Sequence, residues 1–504
     1  MLQGRVAGVS ITNNLYGYAA PQPRDESYKY TQDNSFQNAK DNPLSTFSVD
    51  VDAASYSNVR RFINNGQLPP PDAVRIEEMI NYFKYNLPAP AKGSPVAIHT
   101  ELSSAPWNPQ HRLLRIGLKA RTLDTHNLPP SNLVFLIDVS GSMDEPNKLP
   151  LVKSAMKLLA DQLRAQDKVA IVVYAGNAGL VLPPTPGNDK TKILQAIDGM
   201  SAGGSTAGGE GIMLAYKIAA ENFIKGGNNR VILSTDGDFN VGASSDDDME
   251  HLIERERQSN IHLSVLGFGM GNYKDSKMET LADKGNGNYA YIDNLEEAKN
   301  KLVNEFGSTM FMVAKDVKLQ VEFNPAKVEA YRLLGYEDRL LNKEDFNNDV
   351  KDAGDMGAGH TVTAFYEIVP AGSKDPFAPA VDPLKYQLMA QIIPGYVPSD
   401  ELLTVKFRYK QPDSMTSKLS EAIVHDNDRT AFNKTSADFR FAAAVAEVGM
   451  LLRQSPFKQQ ANFEQAIGIA KGAKANDEDG YRSEFIRLAE SAQLLAKSSL
   501  AANK

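Results

Sequence analysis

Apolar positions follow three rhythms along the chain. Between Leu113 and Lys119, Leu114, Ile116 and Leu118 alternate with Arg115, Gly117 and Lys119. A period of two predicts a half-buried β-strand. The alternation returns at Val317, Leu319, Val321 and Phe323, again over 362–369, and again at Leu403, Val405, Phe407 and Tyr409. Between these stretches stand near-continuous apolar runs, Leu133 to Ile137, Val169 to Val173, Val231 to Leu233 and Leu263 to Leu266, separated by helical patterns. Such runs predict parallel strands covered on both faces. Leu151, Ala155, Leu158, Leu159 and Leu163 share one face of the helix predicted after the first run, as a crossover helix on a sheet requires. The fold class predicted is multidomain α/β plus β: a doubly wound, Rossmann-like domain over 129–311, inserted into a discontinuous β-sandwich of 96–128 and 312–412.

The third rhythm is helical. Ser55 to Asn65 and Val74 to Phe83 read as helices broken by Gly66 and Pro69-Pro70-Pro71, so 45–95 is expected to be an N-terminal helical segment. Beyond Pro412, Phe441, Val445, Val448 and Leu452 share one face, as do Tyr481, Phe485, Leu488, Ala492 and Leu495. Residues 413–504 are therefore expected to form a helical region, with no ligand assigned to it. Residues 1–44, rich in polar residues and without an apolar period from about Tyr16 to Asn42, read as a flexible linker.

Composition narrows the function. With 504 residues several cores are expected, and 42% hydrophobic and 23% charged residues suit a folded chain. The formal charge of −8 offers no footprint for a phosphate backbone, so nucleic acid is not expected as a ligand. The absence of cysteine removes disulfides, thiolate metal sites and cysteine nucleophiles. No stretch approaches the roughly 20 apolar residues of a spanning helix, and no signal peptide follows Met1, so direct membrane insertion is not expected.

Ligands of open parallel sheets bind beyond the carboxyl ends of the strands, where the chain reverses direction across the sheet. Three polar loops fall at such ends: Asp138-Val139-Ser140-Gly141-Ser142, Gly203-Gly204-Ser205-Thr206-Ala207-Gly208-Gly209, and Thr235-Asp236-Gly237-Asp238. Asp138, Ser140, Ser142, Thr206 and Asp236 provide two carboxylates and three hydroxyls, with no His or Cys. Such hard oxygen donors suit a divalent cation, Mg²⁺ first, with Mn²⁺ or Ca²⁺ possible, better than Zn²⁺ or Cu²⁺. Hydroxyls supplying much of the shell leave the cation under-neutralised, so an Asp or Glu carboxylate of a partner protein is expected to complete it.

These same residues resemble the metal-ion-dependent adhesion site (MIDAS) of von Willebrand factor A (VWA) domains. The resemblance implies that Ser140, Ser142 and Thr206 touch the metal directly, while Asp138 and Asp236 act largely through water. Ser45 to Asp52, Leu68 to Phe83, Gly335-Tyr336-Glu337 and Asp479-Gly480-Tyr481-Arg482 further resemble bacterial YfbK-type VWA proteins, from about residue 45 to the C-terminus. That resemblance implies a binding protein without a known reaction, not an enzyme. Met1 to Thr12 resembles the short plug-like segment of TonB-dependent outer-membrane receptors from Bacteroidota, which implies the cell envelope of such a bacterium.

Two other functions use the same residues. A metal-dependent hydrolase would use the oxygen site to activate water, with Asp238 as base. Against it, Ser140 stands where an aspartyl phosphatase needs a carboxylate, and none of the seven histidines lies in the three loops. A structural envelope protein would carry the metal site as a non-essential lock. Elsewhere, Asp50 and Asp52 read as the solvent face of a strand, Asp246-Asp247-Asp248 as the start of a helix, and His425 with Asp426 and Asp428 as a capping group. Gly267, Gly269 and Gly271 do not have dinucleotide-loop spacing.

Overall fold

A computed structural model describes residues 26–502, apart from 124–127, 205–207, 238–245, 272, 306–310, 352, 374, 378–398, 413 and 415. The apolar runs form one six-stranded sheet with Ser131–Asp138 inside it. Lys168–Tyr174 and then Ala178–Pro186 lie to one side; Asn228–Thr235, Ile261–Phe268 and Tyr289–Ile292 follow on the other. All neighbours are parallel except the last pair on the first side, Lys168–Tyr174 with Ala178–Pro186. Leu133, Phe135 and Ile137 pack with Val152, Ala155 and Leu159 of the helix Leu149–Gln162. Val134 and Leu136 pack on the opposite face with Ile212 and Ala215 of the helix Gly208–Glu221. Burial on both faces is why these strands read as runs instead of alternations. The chain reverses between Ser131–Asp138 and Asn228–Thr235, which sets the tips of these two strands side by side.

The alternating segments form two antiparallel sheets. One holds Val96–Ala105, Asn108–Ala120, Thr361–Pro370, Val328–Leu334 and Gln37–Asn38; the other holds Ser417–His425, Glu401–Lys410, Met312–Phe323, Leu44–Ser48 and Leu340–Leu341. Leu114, Ile116 and Tyr366 of the first share a core with Phe47, Leu319, Val321 and Val405 of the second. Across that core Phe323 stacks on Tyr331 with ring centres 3.8 Å apart. The α/β domain is inserted between Asn108–Ala120 and Met312–Phe323.

Four expectations change. The segment 26–42 is not a free linker: Arg61 holds Glu26 at 2.8 Å, Arg453 holds Asp33 at 2.8 Å, and Phe36 is buried beside Ala330 and Val369. Single anchors of this kind leave no apolar period. Residues 45–95 begin with a strand, Leu44–Ser48, paired with Met312–Phe323. Helices start later in the C-terminal region than the expected residue 413, because Ser417–His425 is an edge strand whose Leu419 and Ile423 face solvent, so its alternation lacks a buried set. The helices Ala54–Asn64 and Ile76–Asn81 share one core with Ala437–Leu452, Phe463–Gly472 and the buried residues of Tyr481–Ala502.

Asp50 and Asp52 do not face solvent from a strand. The strand ends at Ser48, and Asp52 is buried, accepting from Tyr289 N at 3.0 Å and Arg339 Nη2 at 3.0 Å. The Asp246 run opens the helix Asp246–Arg257, and His425 and Asp428 cap a short 3₁₀ turn.

Within the helical core, Glu447 is fully buried; Oε1 accepts from Asn462 N at 3.0 Å and Oε2 has no hydrogen-bond partner among the described residues. Burial pushes its carboxyl up to about 7, against the weaker opposite pull of Asn462 N–H. Because the folded value lies above that of the unfolded chain, stability falls as pH rises from about 4.5 through 7. Glu447→Gln is expected to stabilise the protein by about 2 to 3 kcal/mol at pH 8 and by little at pH 5. Urea unfolding at the two pH values checks this, and a gain equal at both would reject the buried-charge account.

Candidate metal centre

Asp138 is the last residue of its strand, and Asp236 directly follows Asn228–Thr235, so both carboxylates stand at the switch point. Each is fully buried. Asp138 Oδ1 accepts from Ser140 N at 2.8 Å, which curls the loop and places Ser140 Oγ 3.1 Å from Ser142 Oγ. Ser142 is exposed. The site thus grades from buried carboxylates to an accessible hydroxyl within one turn.

The second loop is fastened to the first by the backbone. Gly203 N donates to Val139 O at 2.7 Å, and Gly141 N donates to Gly204 O at 3.0 Å. Gly204 has φ +89°, a left-handed conformation that glycine adopts without strain. Thr206 lies outside the described residues, as does Asp238. In the third loop Gly237 has φ +97°, and a Cβ there would fall 2.7 Å from Lys274 N, so a side chain after Asp236 is excluded. The structure therefore brings together four of the five expected residues, Asp138, Ser140, Ser142 and Asp236.

Burial pushes the Asp138 carboxyl up to about 6, Ser140 draws it down, and the nearby charge of Asp236 raises it again. The Tyr174 hydroxyl also lies against Asp138. Even so, Asp138 Oδ2 is buried without a well-formed hydrogen bond among the described residues. A buried acceptor left this way is costly unless a cation or donor meets it. Together with two buried carboxylates and a hydroxyl pair, this fits a hard divalent cation. Among the described residues no cluster of three or more His, Cys, Asp or Glu offers a second kind of metal site.

One residue of the site escaped sequence reasoning. Lys148 is buried, and its Nζ donates to Asp236 Oδ2 at 3.1 Å. It is the residue before the helix Leu149–Gln162, a place where Ser, Thr, Asp or Asn is favoured and a cation opposes the helix dipole. That misfit was the available signal. The stem crosses Gly269, where φ is +76° and an added Cβ would stand 2.4 Å from Lys148 Cε. At Gly267 a Cβ would meet the Tyr273 hydroxyl at 2.5 Å. The two glycines thus make room for Lys148 and Tyr273, and no nucleotide is needed to explain them.

Comparison with known proteins places the chain in a family. The model of the von Willebrand factor type A domain matches residues 132–305, a von Willebrand factor model matches 22–115, and the model of the C-terminal part of uncharacterized protein YfbK matches 308–495. Uncharacterized protein YfbK of Escherichia coli (strain K12) is 46% identical over 476 residues, covering 93% of this chain and 81% of its own length. Among solved structures, a von Willebrand factor type A protein from Catenulispora acidiphila is 15% identical, with 89% of each chain covered and a TM-score of 0.40. The conserved hypothetical protein BatB from Bacteroides thetaiotaomicron is 23% identical over 35% of this chain and 97% of its own, with a TM-score of 0.30. With a relative 46% identical over 93% of its length, this chain belongs to the YfbK family and carries a von Willebrand factor type A domain.

Proposed function

We propose that the domain holds a divalent cation, Mg²⁺ first, on Asp138, Ser140, Ser142, Thr206 and Asp236, and through it binds an Asp or Glu carboxylate of a partner protein. The observation that carries this reading is Asp138 Oδ2, a buried acceptor without a well-formed hydrogen bond among the described residues, beneath an exposed hydroxyl loop. Asp138, Asp236 and Lys148 together carry one negative charge, so a divalent cation leaves the site positive and attractive to an anion. When bound, the cation supplies that charge. The chain's own part is to fix the serine hydroxyls through Asp138 and to keep water from the two carboxylates. The β layers orient the domain toward its partner. The envelope is the proposed location, on the likeness of Met1 to Thr12; no helix among the described residues is long and apolar enough to cross a membrane.

Calorimetric titration of Mg²⁺ and Mn²⁺ into the metal-stripped protein is expected to show one saturable site. Asp138→Ala, with folding checked by circular dichroism, is expected to weaken it by about 10- to 100-fold or more. Equal binding by the two proteins, or none by either, would remove the metal reading.

A further inference from the structure

Apart from the metal-site loops lies a cavity of about 480 Å³, between Arg230 and Ile232 of Asn228–Thr235, Ser264 and Leu266 of Ile261–Phe268, and the β layer around Gly357 and His360. This size is in the range of small-molecule sites. Arg230 lines it and is 2% exposed. Every other buried arginine, Arg60, Arg75 and Arg332 among them, holds at least one carboxylate in an ion pair. Arg230 holds none among the described residues. Its guanidinium makes one hydrogen bond, from Nη1 to Ser264 Oγ at 2.6 Å, and Nε has no acceptor. Asp355, on the wall of the same cavity, acts on it through its charge.

The wall carries charges of both signs, but Asp50, Asp52 and Asp283 are met by Arg339 and Glu305 is met by Lys301. Lys119, also on the cavity wall, donates to the Gly359 carbonyl at 2.9 Å and has no ion pair among the described residues. Burial and the neighbouring charge of Lys84 draw the Lys119 ammonium below its ordinary range. Behind Arg230, burial, then Arg230 itself and Lys315, hold the His262 imidazole down to about 3, so it stays neutral. A buried guanidinium is stable only when its charge is met, and its planar fork matches the two oxygens of a carboxylate or phosphate. Ile232, Leu266 and Met312 form an apolar part of the same wall.

We propose that this cavity binds a small organic oxyanion, a carboxylate or phosphate on an apolar body, with Arg230 gripping the oxyanion and Lys119 adding charge. The site is separate from the metal centre and does not rest on it.

The test is calorimetric titration of phenyl phosphate and of benzoate into the full chain. At least one probe is expected to saturate, and which one does so identifies the oxyanion as phosphate or carboxylate. Arg230→Gln is expected to weaken the binding by about tenfold or more. Folding of this variant is checked by circular dichroism. Where it does not fold, Lys119→Gln, at the half-buried margin, decides: weakened binding supports the site, and unchanged binding overturns it. Failure of both probes to saturate, or equal affinity in wild type and a folded Arg230→Gln, also overturns it.

Discussion

Lys148→Met is expected to lower the stability of the metal-free protein by about 3 to 5 kcal/mol, because it removes the ammonium that meets the fully buried Asp236 carboxylate. Methionine keeps an apolar stem over Gly269, so lost packing contributes little. The same substitution is expected to strengthen Mg²⁺ binding by about tenfold or more, since a positive charge no longer repels the incoming cation. In this account Lys148 holds the metal centre together until the metal arrives. Urea unfolding with chelator and with saturating Mg²⁺ tests it: the deficit shrinks when metal is present. Equal Mg²⁺ affinity in wild type and variant would mean that the ammonium and the cation do not compete for Asp236.

Arg339→Met is expected to cost a similar amount, about 3 to 5 kcal/mol at pH 8. Arg339 meets Asp283 at 2.8 Å, Asp52 at 3.0 Å, Glu279 at 3.2 Å and Asp50 at 3.6 Å. Two of these acids belong to or adjoin the helix Asp275–Lys284 of the α/β domain, and two precede the helix Ala54–Asn64, so one guanidinium joins three parts of the chain. Burial already holds Asp52, Glu279 and Asp283 above the ordinary carboxylate range, with Arg339 pulling each down. Without Arg339 these acids rise further and take up protons on folding, so the deficit is expected to shrink as pH falls from 8 to 5. Urea midpoints at both values provide the check; a deficit independent of pH would show that packing, not charge, is what Arg339 contributes.

The α/β domain was legible because strands such as Leu133 to Ile137 are buried on both faces, and a continuous apolar run records that directly. The positions of Asp138 and Asp236 were legible for the same reason, since each follows the end of such a run. Other elements carried a weaker record. Ser417–His425 pairs along one edge only and keeps Leu419 and Ile423 exposed, so its residues do not separate into buried and polar sets. Residues 26–42 are held by partners such as Arg61 and Arg453, the latter more than 400 positions away, and no local pattern announces such a bond.

By itself, then, the sequence determined the buried strands of the α/β domain, the helix faces that pack on them, and which oxygen-bearing loops end the central strands. Those properties arise from neighbours a few residues apart, whose spacing repeats with the backbone. Tertiary structure alone decided that Lys148 meets Asp236, that Asp52 turns inward to Arg339, and that Arg230 faces a cavity without an ion pair among the described residues. The physical reason is that a charge's partner depends on distance in space, and packing brings together side chains that the chain keeps far apart.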